Sequence, residues 1–170
     1  MKALVTGVAG FIGSQLAESL IQEGADVIGV DSFTDYYARE IKIANLEKLS
    51  ASSRFQLVEG SIEAMDLSTY LRDCTHVFHL AAQALVRSSY EAPLDTMTIN
   101  AIGSANVLDA LRALKKKVVA IMITSDKVYD NVEWVWGYKE TDRLGGKDPY
   151  SASKGMAELA IRGYVESFFN

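Results

Sequence analysis

Five short runs, Ala3 to Thr6, Val27 to Val30, Phe55 to Val58, Val77 to Leu80 and Val118 to Ile123, are rich in apolar and β-branched residues and almost free of charge. A strand with one wet face alternates apolar and polar positions, so uninterrupted runs of this kind predict strands covered on both faces. Between them the apolar residues return every three to four positions. Ile12, Leu16, Leu20 and Ile21 predict a helix that stops at Gly24, Leu94 to Leu114 predicts a longer one, and Ser151 to Phe169 a last one. Arg39 to Leu49 predicts a further helix and Leu67 to Leu71 a short one. The alternation βαβαβαβαβα predicts one α/β domain over residues 1–170, a Rossmann-like doubly wound parallel sheet of about five strands with helices on both faces. No repeat of solenoid period is visible.

The first strand runs into "TGVAGFIG", which places Gly7, Gly10 and Gly13 where the chain must turn from strand to helix. Glycines there allow a tight turn, close approach of a pyrophosphate and close helix-to-strand packing, and the helix start offers N–H groups to phosphate. Asp31 closes the second strand, where a carboxylate accepts hydrogen bonds from an adenosine ribose and repels a 2′-phosphate. The cofactor expected is therefore NAD rather than NADP. A purely structural turn is the competing reading.

"DPYSASKG" sets Tyr150 four residues before Lys154, on one face of a helix. A nearby ammonium stabilises a phenolate and makes tyrosine useful as a proton acceptor near neutrality. Alone, so short a pattern also fits a tyrosine and a lysine on a wet helix.

The 170 residues suffice for one domain, and a net charge of −5 argues against a nucleic-acid partner held by phosphate neutralisation. The single basic cluster, Lys115 to Lys117, reads as a helix C-terminus. No apolar run is long enough for a membrane span, and "MKALVTG" reads as a strand rather than a leader, so a cytoplasmic location is expected. Cys74 reads as a partly buried thiol, and His76 and His79 make no metal-ligand cluster.

With these features in place, the chain resembles the extended short-chain dehydrogenase/reductases, the NAD-dependent nucleotide-sugar epimerase/dehydratase branch. "TSDKVYDNVEWVWGYKETDRLGGKDPYSASKG" and "AAQALVRSSYEAP" resemble CDP-glucose 4,6-dehydratases, whereas "VDSFTDYYAREIKIANLEKL" is more similar to UDP-glucuronate 4-epimerases. The resemblance implies a cofactor site of Gly7, Ala9, Gly10, Phe11, Ile12 and Gly13, with Asp31 and Ser32 beside them. It adds Ser61 and Ile62 of "EGSI", Leu80, Ala81, Ala82 and Gln83 of "HLAAQ", then Asn100, Thr124, Tyr150 and Lys154. Ser61 stands where relatives carry an aspartate for the adenine amino group. It implies Tyr150 as the base at a sugar C4 hydroxyl, Lys154 as its charge partner and ribose ligand, and Ser125 as the anchor of that hydroxyl. Asp126 and Lys127 match the pair that serves C6 and C5 in dehydration; a polar strand end with a loop salt bridge is the plain alternative.

Relatives continue past the Tyr150 helix into a smaller substrate lobe, so most of that lobe is expected to be missing here. Trp134 and Trp136 lie in a connection of roughly 24 residues and either cap a substrate pocket or pack on the domain or a partner chain. Small residues at Ala101, Gly103, Ser104 and Ala105, and at Ala152, Gly155, Ala160 and Gly163, allow close packing, and the resemblance implies a homodimer through helices 94–114 and 151–169; the plain alternative is that each helix only settles onto its own sheet. Three functions stay open: a nucleotide-sugar epimerase or dehydratase, an NAD-binding module without sugar turnover, and an oxidoreductase of small alcohols or carbonyls.

Overall fold

A computed structural model describes residues 1–35 and 37–169. Its centre is a five-stranded sheet in the order β3-β2-β1-β4-β5, every pairing parallel. The strands are β1 (Lys2–Thr6), β2 (Asp26–Asp31), β3 (Phe55–Glu59), β4 (His76–His79) and β5 (Val119–Met122). Their locations agree with the five apolar runs. Alternation inside β1 explains why no polar position interrupts it: Ala3 and Val5 enter one core with Ala17, Leu20 and Leu49, while Leu4 enters the other with Val77, Val107 and Leu111. Both faces are dry. The edge strand β5 is less protected, and Val119 and Ile121 remain exposed there.

The chain winds from β1 outward to β3 and returns to place β4 on the other side of β1. That reversal opens a crevice above the carboxyl ends of β1 and β4, where open α/β sheets bind ligands. Helices α1 (Phe11–Gln22), α2 (Arg39–Asn45) and α3 (Glu47–Ser50) precede β3, and α4 (Ser68–Leu71) precedes β4. Then come α5 (Val86–Glu91), α6 (Pro93–Met97), a π turn (Thr98–Ile102) and α7 (Gly103–Arg112). A 3-10 turn (Asp126–Val128), α8 (Pro149–Tyr164) and a second π turn (Val165–Phe169) complete the chain.

Several expectations need correction. The helix foreseen over Arg39 to Leu49 is two, broken where Leu46 turns into the core. The long helix foreseen over Leu94 to Leu114 starts at Pro93, widens through the π turn and ends at Arg112. Lys115 to Lys117 therefore lie beyond the helix, and the Lys116 ammonium donates to the Cys74 carbonyl at 2.7 Å. Cys74 is fully buried, which pushes its thiol pKa up. The long connection after β5 carries a bridge between Tyr129 and Leu144 and a stacked pair, Tyr129 and Tyr138. Trp134 and Trp136 lie in it, 49% and 72% exposed, so neither is enclosed in the core.

Candidate active site

Glycine is required in the turn between β1 and α1. Gly7 has a φ of +70°, in the left-handed region, and a Cβ there would meet the Ala81 nitrogen at 2.9 Å. A Cβ on Gly13 would sit 2.2 Å from the Gly7 carbonyl oxygen. The turn is anchored to β2 because the Gly7 and Val8 amides both donate to the Val30 carbonyl, at 2.8 and 3.2 Å. A cradle that any side chain would fill, at the start of a helix capped only by Gly10, fits the pyrophosphate of a dinucleotide. Phe11 and Ile12 point outward from the first turn of α1, exposed beside this cradle.

Asp31 ends β2 as foreseen, but its carboxylate is already engaged. Oδ2 accepts the Ala9 amide at 3.0 Å, and Oδ1 accepts the Phe33 amide at 2.8 Å and the Lys42 ammonium at 3.1 Å. Both side chains of this ion pair are only 6% exposed. A carboxylate has about four lone-pair positions, so one remains for a ribose hydroxyl. Lys42 was not singled out from the sequence, because a lone lysine in a helical pattern reads as a solvated face. Its charge offsets that of Asp31, which removes the simple charge argument against a 2′-phosphate. Asn45, also on α2, donates to the Ala9 carbonyl at 3.0 Å and braces the same turn.

Farther along the sheet edge, Ser32 is exposed and the Ser61 hydroxyl donates to the Glu63 carboxylate. Ile62 is 4% exposed and packs in the core against the helix that carries Gly103, so its side chain faces away from solvent.

Leu80, Ala81 and Ala82 are half-buried at the end of β4, alongside Gly7. Gln83 is held from the π turn by Asn100, whose Oδ1 accepts the Gln83 amide at 2.8 Å while Nδ2 donates to the Gln83 carbonyl at 3.0 Å. Asn100 Nδ2 also donates to Ser153 Oγ on α8, at 2.8 Å. Asn100 thus holds the Gln83 backbone through both polar atoms of its side-chain amide. The π turn enables it: the extra residue swings Asn100 inward, where it is 1% exposed.

On α8, Asp148 caps the first turn by accepting the Ser151 amide at 2.8 Å and the Ser151 hydroxyl at 2.7 Å. Tyr150 and Lys154 follow on the buried face, 9% and 5% exposed. The Lys154 ammonium donates to the Ile123 carbonyl at 3.4 Å and has no carboxylate within salt-bridge reach among the described residues. Burial pushes its pKa below the usual lysine value, and the Glu158 carboxylate only partly offsets this. Ser125 is half-buried and opens the 3-10 turn, accepting the Lys127 amide at 3.2 Å and donating to Asp126 at 3.2 Å. That turn packs against α8, with Asp126 and Lys127 exposed on it. Thr124 behaves differently from the rest: its hydroxyl donates to Glu158 at 2.5 Å, tying the end of β5 to α8. The structure therefore brings the ends of β1, β4 and β5 and the buried face of α8 to one end of the sheet. Among the described residues no cluster of metal ligands accompanies them.

Comparison with known proteins gives a consistent answer. A family model described as GDP-mannose 4,6 dehydratase matches residues 4–169. CDP-glucose 4,6-dehydratase of Salmonella typhimurium is 38% identical over 169 residues, covering 99% of this chain and 46% of that protein. A probable UDP-glucuronate 4-epimerase of Rhizobium meliloti is 35% identical, covering 99% and 50%. Among solved structures, UDP-glucuronic acid 4-epimerase from Bacillus cereus, in complex with UDP-glucuronic acid and NAD, superposes with a TM-score of 0.91 at 33% identity. DesIV, a dTDP-glucose 4,6-dehydratase from Streptomyces venezuelae with NAD bound, gives 0.89 at 30%. Each covers 99% of this chain and little more than half of the solved one. The chain spans about half the length of the relatives it matches.

Proposed function

Because the chain belongs to the GDP-mannose 4,6 dehydratase family of NAD-dependent nucleotide-sugar epimerases and dehydratases, we propose that it carries the oxidoreductase half of such a reaction at a sugar C4. Gly7, Gly10 and Gly13 would hold the NAD diphosphate and Lys154 the nicotinamide ribose. When bound, NAD supplies the acceptor for the hydrogen removed from C4. The chain's own residues handle the protons. Tyr150 Oη takes the proton from the C4 hydroxyl, Lys154 lowers the cost of the phenolate, and Ser125 Oγ holds the hydroxyl in place. In a dehydration, the C5 proton leaves next to the new C4 carbonyl with help from Lys127, and Asp126 protonates the C6 hydroxyl, which leaves as water. Return of the hydride taken from C4 to C6, with a proton at C5, would give the 4-keto-6-deoxy sugar and restore the oxidised cofactor.

The observation that carries this reading is the buried Lys154 ammonium, without a carboxylate partner among the described residues, one helical turn from Tyr150. Such a cation is costly unless an anion forms beside it. The test is incubation with NAD and CDP-glucose or UDP-glucuronate, followed by mass spectrometry for a 4-keto-6-deoxy product or an epimer. Tyr150→Phe should abolish turnover by at least about two orders of magnitude while NAD still binds.

The exposure of Asp126 and Lys127 favours a second reading, a module that binds NAD without turning over a nucleotide sugar alone. Binding of NAD with no product from any sugar nucleotide would select it. To the same reading we add a cytoplasmic location and a homodimer. Leu94, Ile102, Met156 and Leu159, all exposed on α6, α8 and the π turn, supply an apolar surface for the second copy. Sedimentation showing only monomer at micromolar concentration would exclude the dimer.

A further inference from the structure

We propose that His79 is a positioning residue of this site, joining the backbone beside the glycine turn to the helix that orders Gln83 and α8. The inference rests on the dinucleotide reading above. His79 is the last residue of β4 and is 2% exposed. Its Nδ1 lies 2.8 Å from Thr6 Oγ1 and its Nε2 lies 3.0 Å from Ser104 Oγ.

Hydrogen counting leaves one consistent arrangement. Ser104 donates its single hydroxyl proton to the Asn100 carbonyl at 2.6 Å, so it can only accept from the ring. The ring is therefore protonated at Nε2 and bare at Nδ1, where it accepts the Thr6 hydroxyl. Thr6 Oγ1 in turn accepts the amides of Leu80 and Ala81, both at 3.1 Å. Every proton in the relay has one acceptor, and all the side chains involved are buried.

The two ends of this relay are what give it a function. At one end, Ala81 is the backbone against which Gly7 has no room for a Cβ. At the other, Asn100 grips Gln83 and, through Ser153, the first turn of α8, because Ser153 Oγ donates to the Tyr150 carbonyl at 2.7 Å. His79 thus sets how far the backbone at Leu80 and Ala81 stands from the face that carries Tyr150 and Lys154. The glycine turn has its own ties to Val30 and Asp31. Loss of the relay should therefore loosen the nicotinamide side and leave the adenosine side in place.

The experiment titrates wild-type protein, Ser104→Ala and Thr6→Val with NADH and with ADP, which has the same adenosine diphosphate but neither the second ribose nor the nicotinamide. Both variants are expected to lose about tenfold or more in NADH affinity and less than about threefold in ADP affinity. Leu111→Ala, a core substitution in α7 that lowers stability without touching the relay, should keep the wild-type ratio of the two affinities. Unchanged NADH binding, equal loss of both ligands, or the same altered ratio in Leu111→Ala would overturn the proposal. So would a ¹⁵N spectrum of wild-type His79 with the proton on Nδ1. Wild-type protein that binds neither ligand rejects the dinucleotide reading itself, and the inference with it.

Discussion

The side chain whose surroundings most constrain its chemistry is His79, because burial and the nearby Lys154 charge hold its pKa down to about 3. An unfolded histidine titrates near 6.5, so between pH 6.5 and 3 the unfolded chain binds a proton that the folded chain refuses. Stability is then complete above about pH 6.5 and falls as acid is added, by roughly 1.4 kcal/mol per pH unit from this group alone. Depressed carboxyls such as Asp148, where the Ser151 hydrogen bonds outweigh burial, stabilise the fold across this range and lose that contribution only at lower pH. Urea midpoints at pH 7 and pH 5 check the point: wild type should lose on the order of 2 kcal/mol, and His79→Asn should show a flatter response. A wild-type midpoint indifferent to this step would contradict the buried neutral ring. At the same scale, Lys42→Met strands the Asp31 carboxylate in a site 6% exposed and should cost roughly 3 kcal/mol or more in urea unfolding. Asp31→Asn in the same molecule should recover part of that loss. Neither group's partner was legible in the sequence. Gly7, Gly10, Asp31, Tyr150 and Lys154 announce themselves by spacing, but Lys42 and Ser104 acquire meaning only once helices from different parts of the chain close on them.

Among the elements, strands were legible and helix irregularities were not. Each strand is short and apolar on both sides, a pattern that depends on few tertiary details, whereas the break at Leu46 and the π turn at Thr98–Ile102 depend on what each helix packs against. The short α5 was missed because Pro93 and a polar run, "RSSYE", interrupt the helical period. The glycines of α8 give an element-scale prediction. A Cβ on Gly163 meets nothing within 4 Å, and on Gly155 its nearest neighbour is the Val128 carbonyl at 3.8 Å. Nothing among the described residues requires either to be glycine. Gly163→Ala should therefore stabilise the folded chain by about 0.5–1 kcal/mol in urea unfolding at concentrations that favour monomer. If α8 packs closely on a second copy, the same substitution should weaken association in sedimentation. Destabilisation of the monomer itself would show that the helix is not as open there as it stands.

For the molecule as a whole, the order of the strands separates two tasks. The cofactor crevice lies over β1, flanked by β2 and β4, strands paired on both sides and braced by Asp31, Asn45, Thr6 and Asn100. Ser125, Asp126 and Lys127 instead follow β5, the edge strand, and two of the three are exposed. Dinucleotide binding should thus be complete in this length of chain, and sugar turnover the more demanding property. A ligand at 100 times its Kd adds about 2.7 kcal/mol to folding stability. For a domain of this size that corresponds to a rise in Tm of roughly 5–10 °C with NAD. CDP or UDP alone, lacking the nicotinamide half proposed to reach α8 and the adenosine proposed to reach Asp31, should give a much smaller rise at the same concentration. Thermal unfolding with each ligand decides the matter. A shift with the pyrimidine nucleotides but none with NAD would mean that the crevice at the ends of β1 and β4 serves something other than the dinucleotide.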